Sequence, residues 1–245
     1  MKTGLTIDLD MMEYGAAYEL QRRVVAARKA GAVPDVLLLC EHPHVITLGR
    51  NGKLANLRAS DCVLNQMGVT FFETNRGGDI TYHGPGQLLG YPILNLAEIR
   101  RDVAWYVRSL EEAMIRATAD FGIASCRVPG RTGVWVDGPG KSDTEEEKLA
   151  AIGVHLSRWV TSHGFAYNVS TDLRYFDLIV PCGIADRRAT SLEKLLGRGI
   201  EEKEVSPRIA AHLGELFGIE FRLASRDALE AHLREYEEQL VTSTA

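Results

Sequence analysis

Short strand-like runs follow one another along this sequence, and helical stretches separate groups of them. The runs are rich in Val, Ile, Leu, Phe and Thr, the residue types typical of strands. They cover residues 4–9, 35–42, 45–49, 69–74, 87–96, 133–138, 149–157 and 159–169. Because most of them come in hairpin-like succession, the pattern predicts an α+β fold with mixed β-sheets packed by helices rather than a doubly wound parallel sheet.

Apolar residues at helical spacing predict two long helices, one at residues 12–30 and one near 102–121. A third helix is predicted further along, because Ser206 followed by Pro207 is typical of an N-cap with proline at the first helical position. Gly218 is then expected to end it.

The C-terminal part of the sequence is predicted as a helix–strand–helix unit. Its strand covers residues 219–224, and its last helix begins at Ser225. We expect a single catalytic domain over residues 1–245, with roughly residues 205–245 as a small appendage.

Charge and composition exclude several classes of function. The 245-residue chain carries a formal net charge of −5, so we expect no nucleic-acid partner, since such binding needs a basic surface. No apolar run approaches the roughly 18 residues of a membrane span. The N-terminus goes directly into a strand-like run without a signal peptide, and the four cysteines lack metal-like spacing. These features predict a cytoplasmic protein with reduced thiols, no membrane contact and no metal.

The segment from Arg76 to Gln87 is the most informative for function. Four glycines lie within residues 76–86, interleaved with Arg, Asp, Thr and His. Glycine lets backbone N–H groups approach a ligand closely. The segment is neither a Rossmann fingerprint nor a P-loop. Tight turns alone would explain the glycines, but turns do not need these polar side chains, so we expect the segment to line a ligand site.

Cys182 lies on a loop whose local chemistry suits a nucleophile. Pro181 fixes φ before the cysteine, and Gly183 permits a sharp turn after it. The spacing of Thr190 and Glu193 is that of a capping box, which predicts a short helix after this loop. An inert buried cysteine is the commoner case. The loop chemistry nevertheless makes Cys182 the candidate nucleophile.

The other three cysteines are interpreted as structural. Cys40, inside an apolar strand, and Cys126, in a short strand-like run, are expected to be buried, and Cys62 is expected to be helical and half-buried. None of them has the loop chemistry that surrounds Cys182.

A cysteine nucleophile needs a base, because a free thiol with a pKa of about 8.5 is largely protonated at neutral pH. Lys148, His83 and His163 are the candidates. Lys148 begins a strand whose alternation places it beside apolar residues, and desolvation there would favour its neutral form. The three glutamates before it favour instead a salt-bridged surface lysine. Taken alone, the pattern favours the surface lysine.

Four segments, in this order, closely resemble the signature motifs of bacterial lipoyl(octanoyl) transferases. They are RGGDITYHGPGQLLGY (76–91), KLAAIG (148–153), HGFAYNV (163–169) and PCGIADRRATSLE (181–193). LLLCEHPHVITLGR (37–50) matches more loosely, and the resemblance covers about residues 5–220. Any one motif alone would be weak, whereas four in register make the resemblance specific.

The resemblance implies a fold like the catalytic domain of biotin and lipoate protein ligases. It implies that Cys182 is the acyl-thioester nucleophile, and that Lys148 activates its thiol and later relays a proton. The resemblance, not the spacing, therefore favours Lys148 as the base. It also implies an acyl pocket formed by three short segments. These are Arg76, Gly77, Gly78, Asp79, Ile80, Thr81, Tyr82 and His83; Ala151, Ile152 and Gly153; and Gly164, Phe165 and Ala166.

The implied reaction moves an octanoyl group from octanoyl-acyl carrier protein to a lysine of lipoyl domains through a cysteine thioester, the first step of endogenous lipoate synthesis. The implied acceptors are the lipoyl domains of 2-oxoacid dehydrogenases and the glycine cleavage H protein. No cofactor is implied. An ATP-dependent lipoate or biotin protein ligase on the same fold is the alternative enzyme, and a protein that only sequesters acylated carriers is the alternative binding function.

Both implied protein partners are acidic, like this chain, so docking would need a local basic patch. Three arginine pairs are candidates, although each is also explained as ordinary solvated surface. The pairs are Arg22–Arg23, Arg100–Arg101 and Arg187–Arg188.

Overall fold

The computed structural model of the chain describes residues 1–137, 146–180 and 188–243. Its strands are β1 (Lys2–Met11), β2 (Asp35–Glu41), β3 (Val45–Leu48), β4 (Thr70–Glu73), β5 (Ile80–His83), β6 (Gln87–Ile93), β7 (Cys126–Val128), β8 (Arg131–Val136), β9 (Glu147–Ser157), β10 (Val160–Asn168) and β11 (Ile219–Ala224). Its α-helices are α1 (Tyr14–Ala30), α2 (Asp61–Gln66), α3 (Val103–Ala119), α4 (Leu192–Leu196), α5 (Glu202–Phe217) and α6 (Arg226–Ser243). The strand runs and the two long helices of the sequence prediction are confirmed, with ends shifted by a few residues.

The strands form two mixed sheets. The larger sheet has eight strands in the order β11-β1-β2-β6-β10-β9-β8-β7, and the smaller has three in the order β4-β3-β5. β1 pairs in parallel with both β11 and β2, whereas the remaining neighbours in the larger sheet are antiparallel. In the smaller sheet, β3 is parallel to β4 and antiparallel to β5. The predicted α+β fold with mixed sheets packed by helices is confirmed.

Helices cover both faces of the larger sheet. α3 and α5 pack on one face, and α1 and α6 pack on the other. The alternation of β2 follows this arrangement: Leu37 and Leu39 join the first group, while Leu38 and Cys40 join the second. A strand buried on both faces has an apolar residue at nearly every position, which explains the continuous apolar run of β2.

β9 and β10 form a tight hairpin that crosses the middle of the larger sheet. Its two turn residues, Arg158 and Trp159, both have positive φ, at 54° and 65°. Such a two-residue turn matches the right-handed twist of the strands it joins. The register that follows pairs Gly153 with Gly164 and Ile152 with Phe165, which brings two of the predicted pocket segments together.

The C-terminal helix–strand–helix unit contributes to the larger sheet. β11 adds to its edge in parallel with β1, in a register that runs from Lys2–Ile219 to Ile7–Ala224. Ile219 is buried with the residues of α3 and α5, and Leu229 of α6 is buried with those of α1. No helix among the described residues is both long and apolar enough to span a bilayer.

Two local predictions were wrong about helix starts. α5 begins at Glu202 rather than at Pro207, because Glu201 and Glu204 form a capping box one turn earlier. Pro207 therefore lies inside the helix, where its missing N–H removes one backbone hydrogen bond. α4 is capped by Ser191, whose hydroxyl accepts a hydrogen bond from the Lys194 N–H, and not by the preceding threonine.

The burial of two cysteines was also predicted wrongly. Cys62 lies on α2 as expected but is exposed, and Cys126 of β7 is exposed rather than buried. Both lie in short elements at the edge of the molecule, where few neighbours cover a side chain. Cys40, on the central strand β2, is buried as predicted.

Candidate active site

A cavity of about 510 Å³ lies where the glycine-rich segment meets β9 and β10. This volume is within the range typical of small-molecule sites. Thirteen of the fourteen predicted pocket residues line it: Arg76, Gly77, Gly78, Asp79, Ile80, Thr81, His83, Ala151, Ile152, Gly153, Gly164, Phe165 and Ala166. Lys148 lines it as well. The structure thus brings together segments that are far apart in the sequence.

Tyr82 is the exception and does not line the cavity, contrary to the prediction. Successive side chains on a strand point to opposite faces, so Tyr82 and His83 on β5 diverge. The Tyr82 ring stacks on Tyr175 with 5.1 Å between centroids, and its hydroxyl lies 2.8 Å from His44 Nδ1. Tyr82 therefore belongs to the core of the smaller sheet.

Two glycines allow the backbone to pack closely around the cavity. A Cβ on Gly153 would lie only 2.8 Å from the carbonyl oxygen of Gly77, so a larger residue would push the glycine-rich segment off β9. The Gly77 N–H donates to the Val154 carbonyl at 2.9 Å, which fixes the segment on this strand. A Cβ on Gly164 would clash with the carbonyl oxygen of Gly90 on β6.

Arg76 is buried beneath the glycine-rich segment and holds it in place. Its guanidinium donates to the Thr47 carbonyl at 2.7 Å, to the Thr47 hydroxyl at 2.9 Å and to the Gly77 carbonyl at 3.1 Å. These bonds join the glycine-rich segment to β3. Arg76 therefore positions the glycine-rich segment at the cavity.

His83 and His163 are both buried at the cavity and are poor bases. Burial lowers the pKa of each to about 3, and the positive charge of Arg76 adds to the effect. His83 Nδ1 lies 2.7 Å from Gln87 Oε1, so its N–H donates to the amide oxygen. His163 Nε2 lies 2.6 Å from Asn75 Oδ1, and its N–H likewise donates to the amide oxygen. With a pKa of about 3, each imidazole is too weakly basic to deprotonate a thiol effectively.

Lys148 extends from β9 toward the cavity. Its Nζ lies 4.7 Å from the centre of the Trp135 ring on β8, a cation–π contact that orients the side chain. The carboxylate of the preceding Glu147 pairs instead with Lys194 at 3.0 Å. Because neighbours on a strand point to opposite faces, Glu147 and Lys148 have different surroundings.

The backbone of Lys148 is joined to the segment that follows residue 187. Its N–H donates to the Arg188 carbonyl at 2.9 Å, and its carbonyl accepts from the Thr190 N–H at 3.0 Å. These bonds form a parallel bridge to Ala189, which also lines the cavity.

Cys182, the candidate nucleophile, lies in residues 181–187, outside the described residues. The chain enters that segment at Val180, whose N–H donates to the Asn56 carbonyl at 2.7 Å. Asn56 in turn donates from Nδ2 to Asp79 of the cavity wall at 2.5 Å. The described residues on both sides of this segment are therefore tied to residues of the cavity.

Sequence reasoning missed Trp135 and Asn168, which line the cavity as well, whereas Gln87 belongs to the segment that was expected to line a ligand site. Gln87 Nε2 donates to Asn168 Oδ1 at 2.8 Å. Trp135 is paired with Lys148 across β8 and β9, but a long connection separates the two strands, so no local pattern indicates this pairing. Among the described residues, no group of three or more His, Cys, Asp or Glu side chains could hold a metal ion.

Comparisons with known proteins agree with this geometry. The sequence model of the family described as "Lipoyl protein ligase A/B catalytic domain" matches residues 13–214. The chain is similar to an octanoyltransferase of Solibacter usitatus, with 55% identity over 212 residues, 86% of this chain and 92% of that protein. An octanoyltransferase of Acidobacterium capsulatum is 57% identical over 194 residues, 76% of this chain and 78% of that protein.

The fold resembles that of a solved bipartite lipoate protein ligase from Thermoplasma acidophilum. The two share a TM-score of 0.73 at 16% sequence identity, over 96% of this chain and 92% of that one. The expected likeness to the catalytic domain of lipoate protein ligases is therefore confirmed at the level of fold.

Proposed function

This chain belongs to the lipoyl protein ligase A/B catalytic domain family, and from that premise we propose that it is an octanoyltransferase. Two relatives that carry this name are 55% and 57% identical to it over most of their length. The family implies acyl carrier and lipoyl-domain partners in general. We assign the donor as octanoyl-acyl carrier protein and the acceptors as the lipoyl domains of 2-oxoacid dehydrogenases and the glycine cleavage H protein. The reaction belongs in the cytoplasm, where reducing conditions keep the Cys182 thiol free.

In the first half-reaction, Lys148 takes the proton from the Cys182 thiol, and the thiolate attacks the thioester carbonyl of the octanoyl group. The bond from the acyl carbon to the carrier sulfur breaks, and the released carrier thiolate takes the proton from Lys148. One thioester replaces another, so the step is nearly isoenergetic.

In the second half-reaction, the amine of the lipoyl-domain lysine attacks the Cys182 thioester. Lys148 accepts the proton that this amine loses, an amide bond forms, and the Cys182 thiolate leaves and recovers the proton. Forming an amide from a thioester is downhill, so the sequence of steps needs no ATP.

One observation carries this proposal: Lys148 faces the cavity while its backbone is hydrogen-bonded to Arg188 and Thr190. Cys182 precedes Arg188 by six residues and follows Val180 by two. The residues on either side of the segment that contains Cys182 are thus hydrogen-bonded to Lys148 on one side and, through Asn56, to Asp79 of the cavity wall on the other. This supports Cys182 as the thiol that Lys148 deprotonates.

The walls of the cavity suit a straight acyl chain. Leu89, Ile152 and Phe165 supply apolar surface, and Gly153 and Ala166 leave room between them. Burying eight carbons against such walls is favourable by about 0.8 kcal/mol for each CH₂ group.

Intact-protein mass spectrometry tests the proposal. The pure protein is mixed with octanoyl-acyl carrier protein without ATP, and then with a lipoyl domain. We expect an octanoyl-sized mass gain that the lipoyl domain discharges and that Cys182→Ser abolishes. Modification of a lipoyl domain only when ATP and free octanoate are supplied would assign the chain to the ATP-dependent ligases instead. A Cys182→Ser variant with full activity would refute the thioester mechanism.

A further inference from the structure

We propose that residues 50–58, here called the basic segment, are the docking surface for the acyl carrier that brings the octanoyl group. This inference rests on the proposed function and names the part of the surface that its donor contacts. The segment contains Arg50, Lys53 and Arg58 and no acidic residue. In a chain with a formal net charge of −5, such a stretch is a local exception.

The basic segment is attached to the cavity by its backbone. The Arg50 N–H donates to the Arg76 carbonyl at 3.0 Å, and the Asn51 N–H donates to the Gly78 carbonyl at 3.2 Å. The Lys53 N–H donates to the Asp79 carboxylate at 3.0 Å. A partner that binds this segment is therefore held beside the glycine-rich wall of the cavity.

The other end of the segment meets the residues just before position 181. The Arg58 N–H donates to the Leu178 carbonyl at 2.9 Å, and Leu57 forms an isolated bridge with Ile179. The basic segment thus runs from the glycine-rich wall to the residues that precede the candidate nucleophile.

The three cationic side chains of the segment are exposed and available to a partner. Within residues 1–137, 146–180 and 188–243, no carboxylate lies within 4.0 Å of the charged groups of Arg50, Lys53 or Arg58. The nearby Asp79 forms no ion pair with them: its oxygens accept from the Lys53 and Ile80 N–H groups and from the Asn56 side chain.

Three of the arginines expected from the sequence are less suitable, because carboxylates already pair with them. Arg22 is paired with Glu19, and Arg23 is paired with both Glu230 and Glu237. Arg100 is likewise paired, with Asp102 at 3.0 Å. Charges already paired within the chain attract an acidic partner only weakly. Of the third pair, Arg187 lies outside the described residues, and Arg188 is exposed but lines the cavity itself.

An apolar residue completes the surface. The side chain of Leu54, at the middle of the basic segment, is 61% exposed. A large exposed apolar residue surrounded by cations is typical of an interface whose centre is apolar and whose rim is charged. The expected partner surface is therefore acidic with an apolar centre.

The chemistry of the two substrates favours the carrier over the lipoyl domain. A carrier presents its acyl group on a phosphopantetheine arm, whose phosphodiester adds a negative charge to an already acidic protein. A lipoyl domain is acidic as well, but the group that it presents to the cavity is a lysine, whose positive charge the basic segment would repel. Arg50 and Asn51 also line a polar cleft of about 420 Å³ that shares Gly77 and Val154 with the cavity, where an anionic arm would fit.

The test compares two triple variants with matched changes in charge. One is Arg50→Ala/Lys53→Ala/Arg58→Ala. The control is Arg208→Ala/Arg226→Ala/Arg234→Ala, which removes three exposed cations that do not line the cavity. For each variant, the rate of Cys182 acylation is measured with octanoyl-carrier and with octanoyl-N-acetylcysteamine, a small thioester that makes no protein contact. Discharge to a lipoyl domain is measured on enzyme already acylated with the small thioester.

We expect the first variant to be acylated by subsaturating octanoyl-carrier about tenfold more slowly, because it loses electrostatic steering. High ionic strength should reduce this difference. The small thioester should react at the wild-type rate, and the control variant should behave as wild type throughout. Leu54→Asp should weaken binding of the carrier as well, and its acylation by the small thioester shows that it is folded.

Two results would overturn the docking surface: equal loss in the control variant, or slower discharge to the lipoyl domain with unchanged acylation by the carrier. Failure of the proposed function looks different, because wild-type protein would then gain no octanoyl mass from either donor. Even then, titration calorimetry tests the docking surface by itself. It compares the binding of unacylated carrier to wild type and to the first variant, and weaker binding to the variant supports the surface.

Discussion

Gly153→Ala should destabilise the protein by about 1–3 kcal/mol, the usual cost of forcing an extra methyl group into a packed site. Its Cβ would lie 2.8 Å from the Gly77 carbonyl oxygen and 3.2 Å from Arg76 Cδ. The first neighbour is backbone, so the Gly77 peptide would have to move by about half an ångström to reach an ordinary contact distance. That movement strains the 2.9 Å hydrogen bond from Gly77 N to Val154 O, whose net contribution is about 1 kcal/mol.

Urea unfolding at neutral pH measures this effect, as a lower midpoint with an unchanged slope. Gly199→Ala is the matched control, because a Cβ there meets only a glutamate side-chain oxygen at 3.9 Å. We expect the control to stay within about 0.5 kcal/mol of wild type. A Gly153→Ala protein as stable as the Gly199→Ala control would refute the steric argument. The glycine-rich segment would then be mobile enough to accommodate a methyl group.

Two further predictions concern charged groups. Lys148→Ala should slow acylation of Cys182 by a factor of about 10²–10⁴, the usual contribution of a general base. The control variant Lys194→Ala should be acylated at the wild-type rate. A wild-type rate in Lys148→Ala would exclude Lys148 as the base. Burial and the neighbouring carboxylates of Asp8 and Glu41 raise the pKa of Glu202 to about 7. Protonated Glu202 therefore stabilises the folded protein fully below about pH 4.5, and this stabilisation is lost as the pH rises through 7. Glu202→Gln should therefore gain stability relative to wild type between about pH 5 and about pH 8 in urea unfolding, and a constant difference would contradict the raised pKa.

Periodicity was sufficient to predict the framework of the fold. The continuous apolar run of β2 and the helical spacing in α1 and α3 depend on local chemistry that no distant contact overrides. Capping was less reliable, because two competing signals were present at the start of α5. Ser206–Pro207 is a good start signal, but the capping box of Glu201 and Glu204 sets the start one turn earlier.

The cavity residues were predicted through motifs, and the exception has a simple cause. A motif is read as a continuous stretch, whereas the side chains of a strand alternate between two faces. Within β5, His83 therefore lines the cavity and Tyr82 packs in the core of the smaller sheet. Trp135 could not be predicted, since its place beside Lys148 depends on the pairing of β8 with β9.

The same alternation explains why a lysine that follows three glutamates lines the cavity. In an irregular loop, Glu147 would be free to pair with Lys148. On β9 the two side chains diverge, so that Glu147 pairs with Lys194 and Lys148 extends over Trp135 into the cavity. The parallel bridge to Ala189 then ties this one position to the residues that follow position 187. The place of Lys148 beside residues 188–190 is thus a consequence of strand register, which local sequence patterns do not contain.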